Sequence, residues 1–369
     1  MIWLIDSTLR DGEQAPGVAF SAAEKVAVAQ RLDELGIDEI EAGIPAMGAD
    51  ECAVIRRIAR LRLCARVSVW CRARADDIEA AAQTEAEGVH IAFPVSEIQL
   101  AVMNKSQQWI AETLPQTVEQ ARRHFPYVSV GAQDAGRASP DSLNNFFTIV
   151  SQCQVRRVRI ADTVGVLAPL QTAELITGIR QRHPELQLDF HAHNDFGMAT
   201  ANAITAWQTG ATALSATVNG LGERSGNAAL EEIIVFLQQR FGVRKYAVNS
   251  LHDLCRYVSQ VSGRPVPEMK PVSGRWACSH ESGIHAHGTI ASTLAFQPYD
   301  GQTVGRAASE TVFGKHSGKA ALVNLLQLHN RAADDRKINT LLQKIRHIAL
   351  TNKTELSADD VLLLEQNEK

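Results

Sequence analysis

At 369 residues the chain exceeds one average domain, and 45% apolar with 21% charged residues is the makeup of a globular protein. Its 37 Lys and Arg against 41 Asp and Glu give neither the basic footprint of a nucleic-acid binder nor a polybasic membrane patch. No stretch reaches the roughly 20 apolar residues of a membrane helix, and "MIWLIDSTL" has no basic leader, so a cytoplasmic protein is expected.

Short β-branched runs alternate with amphipathic stretches over the first 250 residues. Strands are predicted at "IWLID", "DEIEAG", "RVSVWC", "VHIAFP", "YVSVGA", "VRRVRIAD", "LQLDFHAH" and "LSATVN". Helical patterns cover residues 21–36, 76–88, 114–125, 140–153, 170–184, 197–210 and 227–242. In the first of them Ser21 and Glu24 form a capping box, and Gly36 sits just past the end. Eight strands alternating with helices predict an α/β fold with a parallel sheet, and eight is the number that closes a (β/α)8 TIM barrel. No G-x-G-x-x-G follows the first strand, which argues against a dinucleotide-binding fold. After residue 250 the pattern changes. "SGRPVPEMKPVSGRW" is rich in Pro and Gly, and "ADDRKINTLLQKIRHIAL" and "SADDVLLLEQ" are helical. The expected division is a barrel over 1–250, a connector over 251–276 and a smaller helical domain over 277–369. Cys52, Cys64, Cys71, Cys153, Cys255 and Cys278 include no C-x-x-C pair and read as reduced thiols.

Chemistry is concentrated at the strand ends. The first strand runs into "LIDSTLRDGEQAPG", a loop denser in Arg10, Asp11, Glu13 and Gln14 than a surface turn requires. In "DFHAHND", His191 and His193 are two apart, so on a strand both imidazoles face the same way. An isolated H-x-H also occurs in polar loops, but Asp11 ends the first strand at the same barrel face. Two imidazoles and a carboxylate make a mixed N/O site for a divalent metal. "NGLGERSGNAALEEI" reads alone as a turn with Asn227 capping a helix; its place after the eighth strand puts it beside Asp11 and the histidines. "FGKHSGKAA" fails as a phosphate loop, having three residues between its glycines where four are needed. "HESGIHAHG" offers His280, His285 and His287, for a second metal site or a general base.

Together "DSTLRDGEQAPG", "HAHNDFGMATANA", "NGLGERSGNAALEE", "SGIHAHG" and "VGR…FGKHSGKAAL" resemble the acyl-CoA-condensing branch of the DRE-TIM metallolyases. That branch holds 2-isopropylmalate, citramalate and homocitrate synthases. The resemblance runs from Ile2 to about Leu322 and is greatest to homocitrate synthases of the nitrogenase-cofactor type. It implies condensation of acetyl-CoA with 2-oxoglutarate followed by thioester hydrolysis, or the same chemistry on 2-oxoisovalerate or pyruvate. A C–C lyase of the same superfamily and an inactive metal-binding scaffold are the rival classes. The resemblance makes Asp11, His191 and His193 ligands of Mg2+, Mn2+ or Zn2+, with Asn227 a weaker fourth. Arg10 would stabilise the developing alkoxide and bind substrate, Gln14 and Glu41 would position it, and Thr163 would hydrogen-bond its carboxylate. His285 matches the base. A homodimer is implied, the second domain of one chain capping the barrel of the other.

Four positions depart from the pattern of related enzymes. Gln133 stands where Glu is usual, and Phe296 where Tyr is usual, with Tyr299 as a possible substitute. Ser129 and Gly131 stand where lysine-pathway homocitrate synthases carry an Arg and a Ser. A distal carboxylate then needs another cation, and Arg72 is the candidate, because Ser68, Trp70 and Arg72 share one strand face. A solvated helix-start arginine is the alternative reading of Arg72. His90 on the fourth strand is next in line.

Overall fold

Eight parallel strands close on one another in sequence order: β1 (Trp3–Asp6), β2 (Glu39–Glu41), β3 (Arg66–Arg72), β4 (Gly88–Pro94), β5 (Tyr127–Gln133), β6 (Arg157–Asp162), β7 (Gln187–Ala192) and β8 (Ala213–Ala216). Closure is made by β1 against β8, with Trp3 opposite Ala213 and Asp6 opposite Ala216. The expected TIM barrel is therefore present. The structure, a computed structural model, describes residues 2–307, 310–332 and 334–367.

Helices wrap the strands in alternation: α1 (Ala22–Leu35), α2 (Ala49–Ala59), α3 (Ala75–Ala82), α4 (Glu97–Val102), α5 (Gln107–Arg122), α6 (Pro140–Gln152), α7 (Pro169–Arg182), α8 (Ala199–Thr209) and α9 (Leu230–Phe241). The capping box of α1 forms as read. Ser21 Oγ accepts from the Glu24 amide, Ser21 N–H donates to Glu24, and Gly36 takes the left-handed conformation with φ of 89°. Such a cap is worth about 1 kcal/mol. Sequence reading passed over α2 and α4. It also began α5 at Leu114, whereas the helix begins at Gln107 and contains Pro115. The pattern over 76–88 stops at Ala82, and Gly88 already opens β4.

Two compact units result. The first holds the chain up to Gln238 with 243–247 and 254–265; the second holds 239–242, 248–253 and the chain from Val266. Residues 251–276 were read as a connector, yet Leu251–Ser262 form a further helix, α10. The second unit contains α11 (Gly283–Ala291), α12 (Lys319–Leu328), α13 (Asp335–Asn352) and α14 (Ala358–Gln366). Phe313, Leu322, Leu341, Ile345 and Val361 form the centre of its own core. Among the described residues no helix is long and apolar enough to cross a membrane.

The barrel interior is not wholly apolar. Glu39 and Glu41 are two apart on β2, and Arg157 and Arg159 are two apart on β6; all four are buried. Arg157 reaches Glu39 at 2.6 and 2.7 Å, and Arg159 reaches Glu41 at 2.8 Å. Two layers of ion pairs thus cross the barrel, the upper one beneath the catalytic face.

Candidate active site

Asp6 ends β1 fully buried, and its carboxylate takes the amide and the hydroxyl of Thr8, both at 2.9 Å. The Thr8 hydroxyl in turn accepts the Val218 amide at 2.9 Å, so the loop after β1 is pinned to the loop after β8. This fixes Arg10 and Asp11 over the barrel mouth. Arg10 Nε donates to Glu41 at 2.5 Å and Nη1 to Asp11 at 2.6 Å, while Nη2 has no protein acceptor among the described residues. Trp70 lies under the guanidinium at 5.8 Å.

Asp11, His191 and His193 converge, with one ligating atom from each within 4.8 Å of the others. His191 Nε2 is 3.4 Å and His193 Nε2 3.9 Å from Asp11 Oδ2, and the two Nε2 atoms are 3.4 Å apart. His191 belongs to β7, and His193 lies one residue beyond it, held by a bridge to Asn227. Asn227 Nδ2 donates to Asp11 Oδ1 at 2.9 Å, and its buried Oδ1 has no partner. Burial and the neighbouring His191 bring the His193 pKa down to about 4, so this imidazole is neutral at neutral pH. Burial works to raise Asp11, but Arg10 and the two histidines hold its carboxyl well below the ordinary range. A carboxylate and two imidazole nitrogens meeting at one point, with an orphaned amide oxygen beside them, fit a divalent cation.

Gly222 makes room for this arrangement. A Cβ there would stand 2.2 Å from Asn227 Nδ2 and 3.2 Å from Asp11 Oδ1. Gly222→Ala is therefore expected to displace Asn227 and weaken metal binding ~10–100-fold, the usual cost of losing an outer partner of a ligand. Isothermal titration with Mn2+ checks it; unchanged affinity would show that Asn227 does not support the centre.

The mouth encloses a cavity of about 170 Å3 bounded by these ligands, Arg10, Gln14, Trp70, His90, Gln133, Arg159 and Thr163. Thr163 Oγ1 accepts the Asp134 amide at 2.8 Å and keeps its own proton to donate. Gln133, the departure from the family's Glu, is in the wall. So is His90, whose Nδ1 is 2.9 Å from Ser129 Oγ. Burial, with Arg159 nearby, pushes the His90 pKa well below its ordinary value. A Cβ on Gly131 would meet His90 Nε2 at 2.6 Å, so the glycine leaves the ring its place.

Three expected residues stand elsewhere. Arg72 does not line this cavity: its side chain is 54% exposed and grips Asp77 at 2.8 and 2.9 Å. The last strand residue follows the chain outward to α3, and Asp77 in the first turn of that helix captures the guanidinium. Glu41 lies beneath the cavity rather than in its wall, taken up by Arg10, Arg159 and the Ser7 hydroxyl. Burial opposes its ionisation, yet the two guanidinium groups hold its carboxyl well below the usual range. His285 belongs to the second unit, on α11, stacked on Phe296 at 4.4 Å. Sequence reading missed Arg159 and Asp189, joined at 2.6 Å under the cavity. Their one signal, charged residues at alternate positions of otherwise apolar strands, reads equally as a strand with one wet face.

Comparison with known proteins agrees with this geometry. Residues 1–258 match the HMGL-like family, and residues 272–353 match the homocitrate synthase post-HMGL domain-like family. A 2-isopropylmalate synthase 2 from Caldanaerobacter subterraneus subsp. tengcongensis is 38% identical, covering 99% of this chain and 95% of its own. Homocitrate synthase 1 of Nostoc sp. is also 38% identical, over 99% of this chain and 97% of its own. An (R)-citramalate synthase from Methanocaldococcus jannaschii is 36% identical, over 99% and 74%. The solved hydroxymethylglutaryl-CoA lyase of Pseudomonas aeruginosa shares the fold, with TM-score 0.66, 23% identity, and coverage of 75% of this chain and 96% of its own. The relatives divide among three synthases at nearly equal identity, so none of them singles out a substrate, but the chain itself belongs to the HMGL-like family, the DRE-TIM metallolyases.

Proposed function

We propose that this enzyme condenses acetyl-CoA with a 2-oxo monocarboxylic acid of small, uncharged side chain and then hydrolyses the thioester, as a citramalate or isopropylmalate synthase does. Condensation of an acyl-CoA with a 2-oxo acid is the chemistry of the synthases that match 99% of this chain. The charge balance of the cavity carries the choice of acid. The buried ion-paired chain at the centre is Asp11, Glu41 and Asp189 against Arg10 and Arg159, while burial pushes the nearby Asp6 carboxyl up to about 7. A divalent cation leaves one positive charge, which a single substrate carboxylate neutralises. A second carboxylate would be buried without a partner, a costly state. Arg72 is committed to Asp77 outside, and His90 is neutral.

The residues present divide the work. Arg10, oriented by Glu41 and Asp11, offers Nη2 to the oxygen that gains charge as the new bond forms. Thr163 donates to the substrate carboxylate, and Trp70 shields the pair from water. A divalent ion held by Asp11, His191 and His193 would polarise the keto group. His285 is the proposed base for the acetyl methyl, and a homodimer the proposed assembly.

A second reading, homocitrate synthase acting on 2-oxoglutarate, is favoured by the Nostoc relative and by the match over 272–353. In it His90 would meet the distal carboxylate from the space Gly131 leaves. Thiol release with acetyl-CoA and pyruvate, 2-oxoisovalerate or 2-oxoglutarate decides. The expected result is kcat/KM at least ~10-fold higher for a monoacid, about 1.4 kcal/mol. Arg72→Ala is expected to change no substrate by more than about twofold, as for an exposed ion pair. Preference for 2-oxoglutarate would establish the second reading, and no thiol release with any acid would return the lyase or scaffold class.

A further inference from the structure

The opposite end of the barrel carries a feature that condensation does not use. The first residues of β1, β3, β5, β6 and β7 surround a cleft of about 520 Å3, with Trp3, Arg66, Tyr127, Arg156, Arg157 and Gln187 in its wall. No acidic side chain lines it. One carboxylate, the buried Glu39, lies beneath, taking both terminal nitrogens of Arg157, with Arg66 Nη1 at 3.4 Å and Trp3 Nε1 at 3.2 Å. Arg66 and Arg157 therefore share one carboxylate, and Arg156 beside them adds a third guanidinium group without one.

The cations are also held in place. Arg66 lies 3.8 Å from the Tyr127 ring centre and 4.9 Å from that of Trp3, and Arg157 lies 4.6 Å from Tyr127. Stacking of this kind fixes a guanidinium plane while leaving its edge free to donate. Arg157 is 3% exposed, and its Nε has no hydrogen-bond partner. Arg156 is exposed at the rim and has no acidic partner among the described residues. The end of a TIM barrel that carries no active site ordinarily has only a stability role, and a third guanidinium group at the rim of a cleft whose one carboxylate is already shared by two adds nothing to that role.

We propose that this cleft is a binding site for a small dianion, either a dicarboxylate or a phosphate, seated between Arg66, Arg156 and Arg157 against the faces of Trp3 and Tyr127. The guanidinium edges of Arg66 and Arg156 suit carboxylate and phosphate oxygens, Arg157 adds charge while its fork is held by Glu39, and two excess positive charges match a dianion. The proposal stands on the first unit alone and is independent of the substrate at the mouth.

Calorimetric titration of the full chain at low ionic strength tests it, with succinate and inorganic phosphate as the two dianions and acetate as the monovalent control. One dianion is expected to bind at least tenfold more tightly than acetate, and which of the two does so names the ligand class. Arg156→Glu and Arg156→Ala, at an exposed position, are each expected to weaken that binding at least tenfold with an unchanged melting temperature. Arg10→Lys, at the mouth, is expected to leave it within twofold. Absence of dianion preference overturns the proposal, as does binding that survives both Arg156 variants or is lost in Arg10→Lys.

Discussion

His193→Ala is expected to empty the metal centre and stop turnover while the barrel stays folded. His193 supplies one of three converging ligand atoms, and with a pKa of about 4 it is a neutral imidazole across the working range of pH. Its removal leaves Asp11 and His191, too few for a stable site whose remaining positions must stay open to substrate. Loss of an outer-shell partner alone costs ~10–100-fold in affinity, so loss of a ligand is expected to cost at least ~100-fold, with turnover falling in parallel. Metal content after dialysis, read by elemental analysis, and thiol release check the two halves separately. His90→Ala, in the same cavity but outside the ligand set, is the control and is expected to retain metal. Full metal content in His193→Ala would remove that residue from the centre.

Much of the catalytic face was legible in the sequence because local rules govern it. The period of two in "HAH", the end of the first strand at Asp11 and the glycines before Asn227 each follow from short-range geometry, and barrel closure brings them together. Arg72 was misplaced for a local reason as well. Strand alternation aims Ser68 and Trp70 inward, but it fails at the final residue, where Asp77 five positions on competes for the guanidinium. Helix α4, although capped by Ser96, was passed over because "EIQLAV" is too short to show a helical period, and α2 because "ADECAVIRRIA" lacks punctuation at its start. The α2 helix begins after Gly48 with no side-chain cap.

The ion layers inside the barrel were illegible for a different reason. "DEIEAG" and "VRRVRIAD" each show charges at alternate positions, which taken alone describe strands with one wet face. Only closure of eight strands sets β2 across from β6 and turns those faces toward each other. Pairs separated by 118 residues, as both are, leave no trace in any local window.

That hidden layer sets the second large effect. Glu41 is fully buried and is the shared acceptor of Arg10 and Arg159, with Ser7 as a third donor. Glu41→Ala is expected to destabilise the fold by about 3–5 kcal/mol, the cost of breaking a buried pair from one side. Arg159 would keep Asp189 at 2.6 Å, and Arg10 would keep only Asp11. Arg10 would then pull on a metal ligand without its counterweight, and its Nη2 would lose its aim. Glu41→Gln, which keeps the shape but only one of the two acceptor atoms and no charge, is expected to recover part of the stability but not the orientation. Its kcat should fall ~100-fold, the scale of a misdirected oxyanion donor, with KM for the oxo acid and metal content little changed. Urea unfolding of both variants, set beside steady-state kinetics of Glu41→Gln, separates the two roles. A rise in KM at constant kcat would place Glu41 in substrate binding, and wild-type stability in Glu41→Ala would mean that Arg10 and Arg159 find other partners when it is gone.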